Sequence, residues 1–425
     1  MHVVIVGAGT SGIYALRWLT SLRRDIGITV LEKRTYPSYS PCGMPYALEG
    51  MTDIDSLIHP LPRGRNVDII LGAEVIEIGE NYVAYRKSGS EKKLDFDKLI
   101  YAAGGIPIVP KLPGSELSGV FTLKTIEDIR KIDSVAKEGV KFAVIGGGAI
   151  GLEMAYALKK RGCDVKVFEP LPNVLPSVGD NEISKIVKEY LEKEGIEVHL
   201  NEGLSEILGE DKVRGIRTPK GDYECDYVLL SVGVRPNTSL LKGLVEMDEK
   251  GFILVDEFFR TSNENIYATG DCVLAPTVWG EKIPAQLASV AAKHGMIAAM
   301  HIAGVNFSYR GSTVPFVTKI GKIEIARVGR KTQKMVRVKA HSFAEYLGGK
   351  ELIIKMFLTD ELKIAGAIAI GEKAASMMDI VSMAMYTDAS VEDLLATEFS
   401  YCPVVADLNH PVSLCAELAY RRFKR

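Results

Sequence analysis

The chain opens on an unbroken apolar, β-branched run, His2-Val3-Val4-Ile5-Val6, which passes into Gly7-Ala8-Gly9-Thr10-Ser11-Gly12 and then into apolar positions at helical spacing from Ile13 to Leu22. A short run of this kind bounded by glycine predicts a buried strand. A second strand is predicted at Ile28-Thr29-Val30-Leu31, ending at Glu32. The order strand, glycine turn, helix, strand, acid then recurs. Lys141 to Ile145 leads into Gly146-Gly147-Gly148-Ala149-Ile150-Gly151, a helix follows, and Asp164 to Phe168 ends at Glu169. Far downstream, Ile266-Tyr267-Ala268 predicts a strand running into Thr269-Gly270-Asp271. Beyond residue 311 the pattern changes: Phe316 to Val328 and Leu352 to Leu358 predict strands, and Asp379 to Met385 predicts a helix.

Each glycine of the repeated turn has a separate task. Gly7 permits the tight turn, Gly9 lets the backbone approach a pyrophosphate at the helix N-terminus, and Gly12 lets helix and strand pack closely. Glu32 lies 20 residues past Gly12, where a carboxylate can accept both ribose hydroxyls. Glu169 lies 18 residues past Gly151, nearly the same spacing. One such turn alone also serves as a plain corner, but two copies with flanking strand, helix and acid predict two dinucleotide sites. Asp271 suits a hydrogen bond to the ribityl chain of a flavin. Its ordinary alternative is a strand-end aspartate in a turn.

Composition narrows this picture. The 425 residues are enough for two or three domains, with 47% hydrophobic and 25% charged residues. The formal charge of −2 points to neither nucleic acid nor an anionic membrane. No apolar run is long enough to span a bilayer, and the start of the chain enters a strand with no room for a signal peptide. The six cysteines, Cys42, Cys163, Cys225, Cys272, Cys402 and Cys415, show no CxxC or metal-ligand spacing. The expectation is a reduced, cytoplasmic protein with no metal and mostly structural thiols.

The chain resembles the pyridine-nucleotide disulfide oxidoreductases, in particular the branch containing coenzyme A disulfide reductase, NADH oxidase and NADH peroxidase. The resemblance covers essentially the whole chain. It includes Leu99 to Gly105 and Val228 to Asn237, which look like the returns from the two nucleotide units. It implies an α/β fold with two Rossmann-type dinucleotide-binding domains and a C-terminal α+β dimerisation domain. The FAD domain is then split, residues 1–110 with 245–310, around an NAD(P)H domain at 111–244, and 311–425 forms a homodimer. By the same likeness Gly7, Gly9, Gly12, Glu32, Lys33, Val75, Ala103, Gly104 and Asp271 hold FAD. Gly146, Gly148, Ile150, Gly151, Glu169 and Gly233 hold NAD(P)H.

Ser38-Tyr39-Ser40-Pro41-Cys42-Gly43-Met44-Pro45-Tyr46 follows the first acid. A lone cysteine is usually a small buried hydrophobe. The flanking Pro41, Gly43 and Pro45 instead suit an exposed helix start, where the dipole favours the thiolate. The segment resembles the branch's single-cysteine redox loop, with the cysteine cycling through a mixed disulfide or a sulfenic acid. Glu153 matches a family residue near the nicotinamide; its bland reading is a solvated first-turn acid. Tyr401 matches a tyrosine that the partner subunit places near the redox cysteine, and its alternative is an interface tyrosine.

Some positions depart from the family. Thr10 stands where peroxidase and oxidase members carry histidine, which argues against imidazole-assisted peroxide reduction. His410-Pro411 resembles the lipoamide dehydrogenase pair, but Glu417 is misplaced as its acid, so a surface turn is expected. Of the coenzyme A pocket, Ser38 matches and Tyr346 survives from a tyrosine pair. Tyr14, Trp18, Ser21, Pro41 and Asn409 stand where the reductase has other groups. Arg23, Arg24, Arg63 and Arg65 are candidates for phosphate contacts. The expected activity is hydride transfer from NADH to FAD and on, through Cys42, to a disulfide, persulfide, polysulfide or coenzyme A disulfide. The alternatives are an NADH oxidase reducing oxygen, a reductase of a small electron-transfer protein, and a non-enzymatic flavin-bearing sensor.

Overall fold

A computed structural model describes residues 1–62 and 64–424. The first glycine-turn unit builds a five-stranded parallel sheet in the order Ile266–Ala268, Lys98–Tyr101, His2–Val6, Gly27–Glu32, Val67–Leu71. All but the half-exposed edge strand Val67–Leu71 are buried on both faces, which is why they read as continuous apolar runs. Helix Thr10–Leu22 lies against helix Ala288–Ile302, which arrives from far along the chain. The approach is close: a Cβ on Gly295 would meet the Ser11 carbonyl oxygen at 2.0 Å.

The second unit repeats the design. Its sheet runs Val120–Thr122, Tyr227–Leu230, Lys141–Ile145, Asp164–Glu169, Glu197–Leu200, again all parallel. Gly105–Pro107 pairs antiparallel with Val234–Pro236, so the exit from the first unit and the return from the second lie side by side.

The third sheet is antiparallel, in the order Phe316–Ile320, Ile323–Gly329, Ile364–Gly371, Glu351–Leu358, Lys334–His341. The single strand expected from Phe316 to Val328 is a hairpin instead, turning at Gly321 with φ +54°. Helices Ala374–Tyr386 and Pro411–Phe423 cover one face of this sheet. Met377, Met378 and Met385 of the first are buried and Met383 points outward. The opposite face shares a core with the second nucleotide unit through Ile320, Ile353, Phe357 and Ile368. Strand Glu351–Leu358 is therefore covered on both sides, yet Lys355 sits in its middle at 7% exposure. A buried ammonium needs partners. Its Nζ finds both Asp180 oxygens, at 2.7 and 2.8 Å, and Glu182 at 3.0 Å, across the interface with the second unit. Arg337 joins the same group through a two-pronged bond to Glu182.

Among the described residues no helix is long and apolar enough to cross a membrane, and no cluster of histidine, cysteine and acidic residues could hold a metal ion.

Candidate active site

The two glycine turns have the same internal geometry. Gly7 and Gly146 adopt φ of +99° and +110°, a backbone region that favours glycine. A Cβ on Gly12 would lie 2.0 Å from the Gly7 carbonyl oxygen, and one on Gly151 would lie 2.1 Å from that of Gly146. The middle glycines differ. A Cβ on Gly9 or Gly148 would have no heavy atom within 4 Å. Nothing inside the fold demands glycine there, and the open space at the start of each helix suits a pyrophosphate. Beside the first turn, Ser11 Oγ and Thr269 Oγ1 are buried with no hydrogen-bond partner among the described residues. Buried hydroxyls are rarely left so. The first site therefore fits FAD, and the matching second turn fits a nicotinamide dinucleotide.

The two acids end their strands in the same place but are held differently. Glu169 accepts the Gly147 and Leu171 amides at 2.7 and 2.9 Å. Glu32 accepts Ala8 N at 2.8 Å and is gripped by Arg34 through two bonds of 2.8 Å. Arg34 also lies 4.7 Å over the Tyr39 ring, tying the first acid to the segment that carries Cys42. Lys33 is exposed and pairs with Glu74 at 2.7 Å. Val75 is half-buried against the first core, and Ala103 and Gly104 close the strand Lys98–Tyr101. Ile150 is exposed at the start of the second helix, and Gly233 has φ +105° before the return strand.

Cys42 lies in a single turn, Pro41–Gly43, that leads into the short helix Met44–Leu48. It is exposed. The expectation of a thiolate favoured by a helix dipole is not met. Although the residue as a whole is exposed, the protein atoms around its thiol push it up, and the carboxylates of Glu153 and Asp271 add to this against the pull of Lys124. A five-residue helix preceded by its own turn carries too little dipole to win. Asp271, in the turn after Ile266–Ala268, is raised by burial and likewise opposed by Lys124. The Lys124 ammonium thus opposes both shifts, although nothing in the sequence singled it out.

Glu153 is not a solvated first-turn acid. It lies in the second turn of helix Ala149–Lys160, half-buried, and burial pushes its carboxyl up. Its Oε1 accepts Thr318 Oγ1 at 2.5 Å and Tyr46 OH at 3.2 Å, and the Tyr46 hydroxyl also lies 3.1 Å from the Lys319 carbonyl. Cys42, Tyr46, Glu153 and Asp271 therefore form one cluster drawn from three regions of the chain.

Other expected residues lie apart from it. Ser38 is buried in a two-stranded pairing with His59. Tyr346 and Tyr401 are exposed on the C-terminal segment and make no side-chain hydrogen bond among the described residues. Arg23 is paired with Asp25, Arg24 and Arg65 are exposed, and Arg63 lies outside the described residues. His410 is not a surface turn. It is buried, stacks on Phe399 at 4.0 Å, and accepts Val412 N as the cap of the last helix.

Comparison with known proteins agrees with this geometry. Residues 1–295 match the pyridine nucleotide-disulphide oxidoreductase family, and residues 318–410 match that family's dimerisation domain. An NADH oxidase of Methanocaldococcus jannaschii is 38% identical over 99% of both chains. An NAD(P)H sulfur oxidoreductase (CoA-dependent) of Pyrococcus furiosus is 32% identical over 98% of both. Among solved structures, a NAD-dependent persulfide reductase from A. fulgidus superposes with a TM-score of 0.93 at 30% identity, covering 99% of this chain and 84% of that one. Two glycine turns, a flavin-type Thr-Gly-Asp strand end and matches over nearly the whole length lead to one conclusion: the chain belongs to the pyridine nucleotide-disulphide oxidoreductase family and is a FAD-dependent NAD(P)H oxidoreductase.

Proposed function

We propose that the protein takes hydride from NADH and delivers the electron pair through Cys42 to a sulfur acceptor: a persulfide, a polysulfide or coenzyme A disulfide. The observation that carries this is an exposed Cys42 facing Glu153, Asp271 and Lys124 in a chain whose six cysteines are all free. The first glycine turn with Asp271 is assigned to FAD, and the second with Glu169 to NADH. FAD, when bound, receives the hydride and holds the electron pair for the acceptor. Cys42 would attack the acceptor's S–S bond and displace a thiolate, keeping the outer sulfur of a persulfide or one coenzyme A of its disulfide; two-electron reduction of that new bond would release the second product and restore the Cys42 thiolate. For a persulfide the balance is NADH, a proton and RSSH giving NAD⁺, RSH and hydrogen sulfide. The cysteine has to lose its proton first, and Lys124 is the cation placed to favour that.

The Pyrococcus furiosus and A. fulgidus relatives support a sulfur acceptor. The dimerisation-domain match and the exposed Tyr346 and Tyr401 support a homodimer in which these tyrosines face the partner's cleft. Free cysteines throughout support a reducing, cytoplasmic setting. Oxygen reduction is the second reading, favoured by the Methanocaldococcus relative. The test is Cys42→Ser, which should keep FAD and its reduction by NADH but lose turnover with polysulfide and coenzyme A disulfide, because a serine hydroxyl is not a redox centre. Unchanged sulfur turnover in that variant would overturn the assignment, and a parent enzyme that turns over oxygen but neither polysulfide nor coenzyme A disulfide would favour the second reading.

A further inference from the structure

Strand Phe316–Ile320 alternates between outward and inward positions, and Thr318 and Ile320 face inward. Ile320 joins the shared core as expected. Thr318, at 2% exposure, is a hydroxyl on an inward position. Its one side-chain hydrogen bond among the described residues goes to Glu153 Oε1, in the second nucleotide unit, at 2.5 Å. A buried hydroxyl whose bond crosses from the C-terminal sheet to Glu153, the carboxyl matched to a family residue near the nicotinamide, invites a question: what does it set?

The bonding at Glu153 is one-sided. Oε1 takes Thr318 and Tyr46, while Oε2 has no hydrogen bond among the described residues. Two donors on one oxygen fix the carboxyl's rotamer and leave the other oxygen for a ligand. We propose that Thr318 is a positioning residue for hydride transfer: the C-terminal domain reaches through its hydroxyl to orient Glu153 and, with Tyr46, sets the carboxyl's protonation state. This rests on the reading of Glu153 given above. Tyr46 has one hydrogen and two acceptors, Glu153 at 3.2 Å and the Lys319 carbonyl at 3.1 Å. It bonds the carboxyl when Glu153 is ionised and turns to the carbonyl when Glu153 is protonated. The titratable groups facing Glu153 are Tyr46 and Cys42. Both are raised, mainly by the protein atoms that keep water from the thiol and the hydroxyl, and Glu153 adds to each. Thr318 and Tyr46 lower the Glu153 carboxyl by donating to its ionised form, against the larger effect of burial.

The experiment is anaerobic stopped-flow reduction of the FAD-loaded enzyme by NADH across pH, in four forms: parent, Thr318→Val, Thr318→Ser and Glu153→Gln. The series is repeated on Cys42→Ser so that the thiol's titration is removed. Valine keeps the shape of threonine and deletes the donor. The expected result is unchanged FAD content and a folded protein, with the pH limb of the reduction rate moved upward by about one to two units, the size usual for one hydrogen bond to a charged group. Serine should restore the parental profile, and Thr318→Val added to Glu153→Gln should change nothing further. A Thr318→Val profile superimposable on the parent, with Glu153→Gln removing the limb, overturns this inference alone. A Glu153→Gln profile identical to the parent overturns the role of Glu153 as well.

Discussion

At the scale of single residues, the glycines of each turn separate folding from binding. Gly12 is demanded by the fold, because a Cβ would meet a carbonyl oxygen at 2.0 Å, whereas Gly9 faces open space at an ordinary φ of −72°. Gly12→Ala should therefore lower the stability of the FAD-free protein by about 1–3 kcal/mol, the usual range for overpacking. Gly9→Val should leave that stability intact and lose FAD. Chemical denaturation of both apo variants and the flavin spectrum of the purified proteins check this; stoichiometric flavin in Gly9→Val would remove the assignment. Glu169, fixed by two backbone amides, gives a second expectation. A carboxylate accepts ribose hydroxyls and repels a 2′-phosphate, so kcat/KM should be higher with NADH than with NADPH, each tenfold being worth about 1.4 kcal/mol. The two glycine turns and the acids that end the next strands were legible because spacing along the chain encodes them. Thr318, Tyr46 and Lys124 were not, because their meaning comes from residues far away in sequence: Thr318 meets Glu153 across 165 positions.

At the scale of elements, the last helix, Pro411–Phe423, carries its own acid sensitivity. His410 caps it by accepting Val412 N on Nδ1, and burial pulls the imidazole down to about 4 from 6.5. The folded value lies below the unfolded one, so on acidification the unfolded chain takes up its proton first. Stability present above pH 6.5 is lost as the pH falls from there toward 4, at about 1.4 kcal/mol per unit. His410→Asn keeps a capping acceptor but cannot titrate, so its stability should be flatter across this window in urea titrations. An equally steep profile would assign the loss to other groups. The sequence reading placed His410 in a surface turn because a His-Pro pair says nothing about the Phe399 ring that stacks on it. The hairpin at Gly321 was missed for a related reason: its two strands form one mostly apolar stretch, and a single glycine marks the turn. Helix and strand patterning was decisive at the start of each nucleotide unit, where the first strand runs into a glycine turn and a helix and the second strand ends at an acid.

At the scale of the whole molecule, the C-terminal segment presents Val404, Val405 and Leu408 at 61%, 58% and 71% exposure, beside Tyr401. Apolar residues gathered in this way mark an interaction surface more often than a free one. Sedimentation velocity should show a dimer, and Val405→Asp with Leu408→Asp should give a monomer that still reduces FAD with NADH but no longer turns over sulfur acceptors. A monomeric parent would remove the dimer. A monomeric variant with full acceptor turnover would show that each chain holds a complete site. The joint between the first helix and Ala288–Ile302 has a consequence in time. Strand Ile266–Ala268 completes the first sheet, and Gly295 packs on Ser11 with no room for a side chain. The beginning of the chain therefore waits for residues near 300 before it can close, while every strand of the second sheet is in place by Leu230. On the ribosome the usual amino-to-carboxyl order of maturation is reversed for these two units: the embedded one becomes protease-resistant first. Limited proteolysis of ribosome-bound chains stalled so that residue 245 has emerged but residue 266 has not should spare Lys141 to Leu230 and cut residues 1–100. The opposite pattern would show that the first unit holds its shape without its late-arriving helix.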